Sequence, residues 1–401
     1  MYIPRDIQTQ IEQALQFFPV ISLTGARQSG KTTALRTILS SYNYVSLELP
    51  SLAEQAERDP VSFLSTNPAP LIIDEIQYAP VLFRHLKLVV DENRHTFGQY
   101  VLVGSQHLPF MQNISESLAG RVAILELENL SLAEISYVAS HTDRLDVLKR
   151  VIVRGQFPEL WRNEDFPISL FYSSYLATYL ERDVRQILNV TSLRDFERFI
   201  RILAIRSGSL LNKSEVARDV GVSVKAIGDW LSVLQTSGQV VLLEPWFENF
   251  GKRIAKSPKI FFCDTGLLCY LLGIDEQNLE TSPFLGMIWE TFLFSELRKT
   301  DAYRSAAVRI WHYRDQYGSE IDFIIEGKGT LSFLEAKWTE HPRQSDARVM
   351  AQIVEKLKSS NTRWKAGNRY VIARPHNRYP LEDGTQVIRV SDIQNLEEIS
   401  Q

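Results

Sequence analysis

Short apolar runs recur through the first 140 residues, and their spacing predicts the strands of one sheet. Wholly apolar runs of this kind are typical of parallel strands that helices cover on both faces. Helical spacing of apolar residues over 5–17 predicts an amphipathic helix ahead of the first strand. The predicted strands lie at 20–24, 44–49, 70–76, 100–106 and 122–127. This alternation predicts the α/β class, with a mostly parallel sheet that has helices on both faces.

The rest of the chain predicts further, separate domains. Residues 131–160 and 168–200 contain helical stretches. A helix, a turn at Gly221, a second helix over 223–236 and an apolar run at 240–243 predict a winged helix. We therefore predict four parts: a nucleotide-binding domain at 1–140, a helical lid or connector at 141–200, the winged helix at 201–257, and a C-terminal α/β domain at 258–401.

Composition is that of a folded protein with more than one domain. The chain has 401 residues, 44% hydrophobic and 23% charged, which is too long for one ordinary core. The net charge of −4 does not by itself indicate nucleic acid, but residues 343–378 hold nine basic residues against two acidic ones. Cys263 and Cys269 are expected to be a buried, reduced pair. The sequence has no signal-peptide core and no apolar run of about 18 residues, so we expect a cytoplasmic protein without a membrane partner.

A glycine-rich turn follows the first strand and leads into a predicted helix. The spacing from Gly25 to Gly30, Lys31 and Thr32 is that of a phosphate-binding loop. Glycines let backbone N–H groups point at phosphate oxygens, and the helix N-terminus adds a partial positive charge. Lys31 is suited to the β- and γ-phosphates, and Thr32 to Mg²⁺. The predicted ATP-binding residues are Gly25, Ala26, Arg27, Gln28, Ser29, Gly30, Lys31, Thr32 and Thr33.

Polar residues near the later strands complete a predicted hydrolysis site. Asp74 ends a buried strand, at the edge where α/β sheets bind ligands, and is predicted to hold Mg²⁺. Glu75 is predicted to orient and deprotonate the attacking water. Ser105, with Gln106 as the alternative, is the predicted γ-phosphate sensor. Arg121 is a candidate transition-state arginine, in cis or in a neighbouring subunit, and an ordinary surface arginine is the competing interpretation.

These motifs together resemble the AAA-type ATP-binding proteins whose C-terminal half is the DUF4143 domain. The resemblance covers nearly the whole chain, and it is the combination of motifs that is specific. The segments that carry it are residues 24–32, 74–77, 118–121, 155–159, 179–184 and 259–267. It implies a five-stranded AAA-like sheet and assembly into a homo-oligomer, for which a hexameric ring is one form.

A second set of charged residues lies in the C-terminal domain. Asp322, Glu335 and Lys337 match the acid…acid-x-lysine pattern of the PD-(D/E)xK nuclease fold. Glu335 and Lys337 point to one side of an extended strand, and Asp322 on the paired strand can meet them there. With Glu290 from a predicted helix, the carboxylates would bind a second metal ion while Lys337 helps to activate water. A chance Glu-x-Lys pattern, or a degenerate domain kept for binding, is the competing interpretation.

The motifs combined predict a Mg²⁺-dependent ATPase, with ATP and Mg²⁺ as cofactors, whose hydrolysis drives DNA remodelling. The winged helix and the basic stretch suit helicase or branch-migration activity on junction DNA. Lys225 is the sole basic residue of the predicted recognition helix, so duplex or branched DNA would be bound without sequence specificity. Two alternatives stay open: an ATP-regulated, metal-dependent DNA endonuclease, and a nucleotide-switched protein-interaction module without DNA activity.

Overall fold

The computed structural model describes residues 2–104, 117–139, 144–179, 193–246, 257–300, 305, 308–359 and 363–395. Two compact units make up the chain. Unit 1 consists of Met1–Leu130 with the short segments Phe157–Arg162 and Thr236–Gly238, and unit 2 contains the remainder. The four-part division by sequence stays a prediction.

The described helices and strands are, in chain order, as follows. The helices are α1 (Gln8–Ala14), α2 (Lys31–Ile38), α3 (Pro50–Arg58), α4 (Pro60–Thr66), α5 (Val81–Glu92), α6 (Leu132–Ile135), α7 (Leu145–Arg154), α8 (Pro158–Arg162), α9 (Ile168–Tyr179), α10 (Leu193–Ile205), α11 (Lys213–Val220), α12 (Val224–Thr236), α13 (Thr265–Leu272), α14 (Leu285–Arg298) and α15 (Arg348–Ser359). The strands are β1 (Val20–Thr24), β2 (Asn43–Ser46), β3 (Leu71–Asp74), β4 (Tyr100–Val103), β5 (Val122–Glu126), β6 (Val240–Leu243), β7 (Lys259–Phe262), β8 (Arg309–Arg314), β9 (Glu320–Gly327), β10 (Thr330–Ala336), β11 (Lys365–Ala373), β12 (Tyr379–Pro380) and β13 (Gln386–Arg389).

Unit 1 is built on a five-stranded parallel sheet in the order β2-β3-β4-β1-β5. The sequence prediction of a parallel α/β sheet is therefore confirmed. Strand β2 is shorter than the predicted 44–49, because the chain leaves the sheet after Ser46 and α3 begins at Pro50. Proline is favoured in the first turn of a helix, where its missing N–H costs nothing.

Two apolar clusters cover the two faces of this sheet, as its wholly buried strands require. Val20, Ile73 and Leu102 pack with residues of α3, α4 and α5. Ile21 and Val101 point to the opposite face and pack with residues of α1 and α2. Because successive side chains of a strand alternate between faces, each central strand contributes to both clusters. The sheet therefore holds the carboxyl ends of its strands in fixed positions.

Unit 2 contains a six-stranded mixed sheet in the order β12-β13-β11-β10-β9-β8. Strands β8, β9 and β10 are consecutive and antiparallel, whereas β11 returns through α15 to lie parallel to β10. Met350, Ile353 and Leu357 of α15 belong to the core cluster on one face. The Trp289 indole of α14 donates a hydrogen bond to the carbonyl oxygen of Ile372.

The helical part of unit 2 supplies the elements that a winged helix needs. Helix α11 ends at Val220 and is followed by Gly221, which has a left-handed backbone (φ 87°). Helix α12 begins two residues after Gly221, at Val224. Strands β6 and β7 then pair antiparallel, from Val240 opposite Phe262 to Leu243 opposite Lys259. Among the residues that the structure describes, no helix is both long and apolar enough to span a bilayer.

Candidate functional site

The loop between β1 and α2 has a tightly curled backbone with three positive φ angles, two of them at glycines. Gly25 has φ 144°, and a Cβ atom there would lie 2.2 Å from the carbonyl oxygen of Leu127. Gly30, just before α2, has φ 91°. Gln28 also has a positive φ, 60°, in the left-handed region that non-glycine residues seldom adopt. The loop is therefore curled tightly against the end of β5, and its backbone forms a concave turn.

The Lys31 side chain folds back into this turn. Its Nζ donates hydrogen bonds to the carbonyl oxygens of Gly25 (3.0 Å) and Ala26 (2.9 Å). Burial lowers the pKa of the Lys31 ammonium to about 8, while the Glu75 and Asp74 carboxylates act in the opposite direction. The ammonium thus lies among the loop carbonyls, where its N–H groups could donate to a phosphate group instead.

Asp74 is the acceptor at which three elements meet. The Thr32 hydroxyl donates to Asp74 Oδ2 at 2.7 Å, and the Tyr44 hydroxyl of β2 donates to the same oxygen at 2.9 Å. Burial, and next the Asp74 charge, raise the pKa of the Tyr44 phenol to about 12, so it stays a donor. Tyr44 was not predicted from the sequence as a site residue. The feature that could have indicated Tyr44 is a side chain with a polar end on a strand that neighbours β3 in the sheet.

Glu75 follows β3 in an unusual conformation. Its φ is 54°, a left-handed backbone that costs a non-glycine residue about 1–2 kcal/mol. Its N–H donates to Asp74 Oδ1 at 3.0 Å, and its carboxylate accepts a hydrogen bond from Gln77 Nε2. Such backbone outliers persist only where the surroundings hold them, and they cluster at functional sites.

Arg5 is a second residue that the sequence analysis missed. Its guanidinium is buried and donates from Nη1 to the carbonyl oxygen of Ser29 (2.7 Å) and from Nη2 to that of Glu128 (2.6 Å). One side chain therefore joins the phosphate loop to the segment after β5. No local pattern marks Arg5, since its partners lie 24 and 123 residues away along the chain.

The two remaining predicted residues are placed differently. Ser105, like Gln106, lies outside the described residues. Arg121 lies immediately before β5, where its carbonyl oxygen accepts a hydrogen bond from the N–H of Val20 at the start of β1. The phosphate loop follows the other end of β1, about 15 Å away at the usual strand rise. Arg121 is paired with Asp91 through both Nε (2.5 Å) and Nη2 (2.9 Å). The structure therefore does not bring Arg121 to the loop of its own chain.

The residues present fit a nucleoside triphosphate with Mg²⁺. A Cβ atom at Gly25 would collide with the neighbouring backbone, so the cradle depends on glycine. The Thr32 hydroxyl and the Asp74 carboxylate lie together, and they are the hard oxygen donors that Mg²⁺ prefers. Lys31 and the N-terminus of α2 supply the positive charge that phosphates need.

The charged residues predicted in the C-terminal domain also come together, but with two additions. Lys337 Nζ lies 2.8 Å from Glu335 Oε1, and the N–H of Ala336 donates to Asp322 Oδ2 at 2.9 Å. The buried Lys259 places its Nζ 2.7 Å from Glu290 Oε1. It also lies 2.5 Å from Glu320 Oε1. Neither Lys259 nor Glu320 was singled out in the sequence analysis.

This second centre does not fit the predicted metal ion. Within the described ranges, no group of three or more His, Cys, Asp or Glu side chains is arranged to hold a metal. The carboxylates of Glu290, Asp322 and Glu335 are oriented towards lysines and a backbone N–H. Burial, and next the charge of Asp322, raise the pKa of both Glu290 and Glu335 to about 8. The centre does not fit a metal ion because the ammonium groups of Lys259 and Lys337 already supply the positive charge that a metal ion would bring.

Three family models match successive parts of the chain. The AAA domain family matches residues 18–136, and a domain of unknown function, DUF8612, matches residues 145–278. The domain of unknown function DUF4143 matches residues 285–393. Uncharacterized proteins of Mycobacterium tuberculosis and Mycobacterium bovis are each 32% identical to the chain over 395 residues, which is 97% of this chain and 84% of theirs.

Solved structures with some similarity to the chain have low sequence identity to it. A Walker-type ATPase of Pyrococcus abyssi is 14% identical with a TM-score of 0.46, and the match covers 68% of this chain and 96% of that one. The RuvB Holliday junction branch migration motor of Thermotoga maritima is 17% identical with a TM-score of 0.29, covering 59% and 88%. The extent of the sequence matches and the phosphate loop on its five-stranded sheet lead to one conclusion. The chain belongs to the family of AAA-domain ATP-binding proteins whose C-terminal part is the DUF4143 domain.

Proposed function

We propose that this protein is a Mg²⁺-dependent ATPase that couples ATP hydrolysis to the remodelling of DNA. The observation that carries the ATPase part is the 2.7 Å hydrogen bond from the Thr32 hydroxyl to Asp74 Oδ2. It holds together the two oxygen donors that a phosphate-loop enzyme needs for its metal ion, directly beside Lys31 and Glu75.

Each residue of the site then has a defined task. Lys31 exchanges its hydrogen bonds to the loop carbonyls for bonds to the β- and γ-phosphates. Thr32 and Asp74 hold Mg²⁺, which when bound neutralises charge on the phosphates. Glu75 orients the attacking water and accepts its proton, and Gln77 positions the Glu75 carboxylate.

Separate measurements of binding and hydrolysis test this assignment. Glu75→Gln should bind ATP within about threefold of the unchanged protein, while kcat falls roughly 10²–10⁴-fold because the general base is lost. Lys31→Ala should lose binding as well. The matched control is Glu54→Gln, an exposed glutamate of α3. Full hydrolysis by Glu75→Gln would refute the role of Glu75.

The position of Arg121 supports action on a neighbouring subunit of a homo-oligomer. It lies at the end of the sheet opposite its own loop, and its side chain is partly exposed. A mixing experiment tests this. Lys31→Ala and Arg121→Ala proteins should each be inactive, but a mixture should regain activity wherever an intact loop meets an intact arginine. No recovery in mixed oligomers would contradict action in trans.

The DNA part of the proposal is supported by a cationic cavity of about 390 Å³ in unit 2, at the turn between β9 and β10. Arg309, Lys328 and Arg363 line it together with one acid, Glu326. The Arg363 guanidinium stacks 4.7 Å from the centre of the Trp364 ring. In the part of the chain that the structure describes, none of these three cations forms an ion pair. Cations that are not engaged in ion pairs are available to phosphate groups.

Salt dependence of DNA binding is the matching test. Replacing Arg309, Lys328 and Arg363 with alanine should weaken junction-DNA binding and reduce the slope of log K against log salt by roughly 2–3, since each phosphate contact contributes about 0.9. Binding is measured by fluorescence anisotropy with single-stranded, duplex and four-way-junction DNA. The control changes three exposed arginines of unit 1, namely Arg58, Arg84 and Arg94. Absence of DNA binding at low salt, with an ATPase rate that DNA does not change, would favour the protein-interaction alternative.

A further inference from the structure

Lys259 has an unusual environment for a lysine. It begins β7, and its side chain is 2% exposed. Its Nζ lies 2.7 Å from Glu290, 2.5 Å from Glu320 and 3.9 Å from Asp322. A buried ammonium group is strongly unfavourable unless opposite charges and hydrogen-bond acceptors surround it. Here three carboxylates from α14 and β9 do so.

The charge of Lys259 is permanent in this environment. Burial by itself lowers the pKa of the ammonium, but the attraction of the Glu290, Asp322 and Glu320 carboxylates outweighs burial and raises the pKa above its usual value. An ammonium has three N–H donors, and carboxylate oxygens surround this one. The centre therefore contains a fixed cation that belongs to the chain.

The other members of the centre are also matched internally. Lys337 pairs with Glu335 at 2.8 Å, and Arg314 Nη1 pairs with Glu320 Oε2 at 3.0 Å. The backbone N–H of Ala336 occupies Asp322 Oδ2. Four carboxyl groups thus face three cations and one N–H donor. A divalent ion entering this centre would compete with these partners, and Mg²⁺ also gives up its own water reluctantly.

We propose that the ammonium group of Lys259 takes the place of a divalent metal ion, so that the C-terminal domain keeps a nuclease-like set of acids without binding a metal there. Lys259 joins β7 to α14 and β9 through these carboxylates, and the acids serve the architecture of the domain. Without a metal ion at this centre, the domain could not act as a metal-dependent endonuclease there, and a binding role is what remains for it. This inference does not depend on the proposed ATPase activity.

Calorimetric titration of the nucleotide-free, full-length protein with Mn²⁺ tests the proposal. Every protein also carries Asp74→Asn, so that the phosphate loop contributes little metal binding. With Lys259 intact, we expect no saturable Mn²⁺ binding. With Lys259→Met, we expect about one Mn²⁺ per chain. Mn²⁺ at about 100 times the dissociation constant should raise the melting temperature by roughly 5–10 °C. Lys225→Met, which removes an exposed lysine of α12, is the control and should behave like the protein with Lys259 intact.

Two metal-binding results would overturn the proposal. One is stoichiometric Mn²⁺ binding with Lys259 intact that disappears in Asp322→Asn. The other is a folded Lys259→Met protein that gains no Mn²⁺ binding. If Lys259→Met does not fold, the titration of the protein with Lys259 intact, alone and with Asp322→Asn, still decides the question. Cleavage of plasmid or branched DNA in Mn²⁺ that Lys337→Ala abolishes would likewise overturn it.

Discussion

Arg5 connects two backbone segments that shape the phosphate loop, and its removal is a direct test of how that loop is held. Its guanidinium donates to the carbonyl oxygens of Ser29 and Glu128 at 2.7 and 2.6 Å. The substitution Arg5→Met keeps the apolar stem but leaves both carbonyls without these donors. Arg5→Lys keeps the charge, yet an ammonium lacks the planar fork that reaches both acceptors.

The expected size of the effect follows from these two bonds. A hydrogen bond to a charged group contributes about 1.5–3 kcal/mol, and the contributions do not add fully. We therefore expect Arg5→Met to destabilise unit 1 by roughly 2–4 kcal/mol. If between 1.4 and 2.8 kcal/mol of this is spent on ordering the loop, the dissociation constant for ATP rises roughly 10–100-fold. The stability and the ATP dissociation constant of Arg5→Lys should lie between those of the unchanged protein and those of Arg5→Met.

Equilibrium binding of a fluorescent ATP analogue and thermal unfolding together provide the assay. Arg58→Met is the control, because Arg58 is an exposed arginine of α3 whose side chain is 79% accessible. The control should change neither quantity appreciably. If Arg5→Met lowers the melting temperature but leaves the dissociation constant within twofold, Arg5 stabilises the end of β5 only. In that case Arg5 would not shape the phosphate loop.

Three further predictions concern Asp74, its hydrogen-bond partner Tyr44, and Glu290. Asp74→Asn should raise the Mg²⁺ concentration for half-maximal hydrolysis roughly 10–100-fold, while ATP binding measured in EDTA changes little. Tyr44→Phe removes one hydrogen bond to Asp74, worth about 1 kcal/mol, so kcat should fall roughly fivefold; an unchanged kcat would count against it. The third concerns the pH dependence of stability. The pKa of Glu290 is about 8 in the folded protein against 4.5 in the unfolded chain. The contribution of Glu290 to stability is therefore full below pH 4.5 and is lost as pH rises through 8. Glu290→Gln resembles the protonated form, so its free energy of unfolding should vary less between pH 5 and 8, by up to about 1.4 kcal/mol per pH unit; an identical pH dependence in denaturant titrations would contradict this.

Sequence patterns predicted the parts of the nucleotide site that local geometry controls. The loop from Gly25 to Lys31 depends on backbone angles that only particular residues adopt, and those angles are encoded where the residues stand. Asp74 was found because a buried strand that ends in an acid places it at the ligand-binding edge of a parallel sheet. Tyr44 could not be paired with Asp74 in the same way, because that needs the order and register of β2 beside β3.

Only the tertiary structure decided which charged residues from distant parts of the chain pair with one another. The sequence alone determined the α/β class, the phosphate loop and the acid pair at the end of β3. It also determined the pattern of Asp322, Glu335 and Lys337 on and next to paired strands. It did not determine what those acids bind. The antiparallel pairing of β6 with β7 and the packing of α14 bring Lys259 to Glu290, 31 residues away. The residues next to a carboxylate in sequence do not reveal whether it will bind a lysine or a metal ion. The outcome depends on which cation the tertiary structure places beside it.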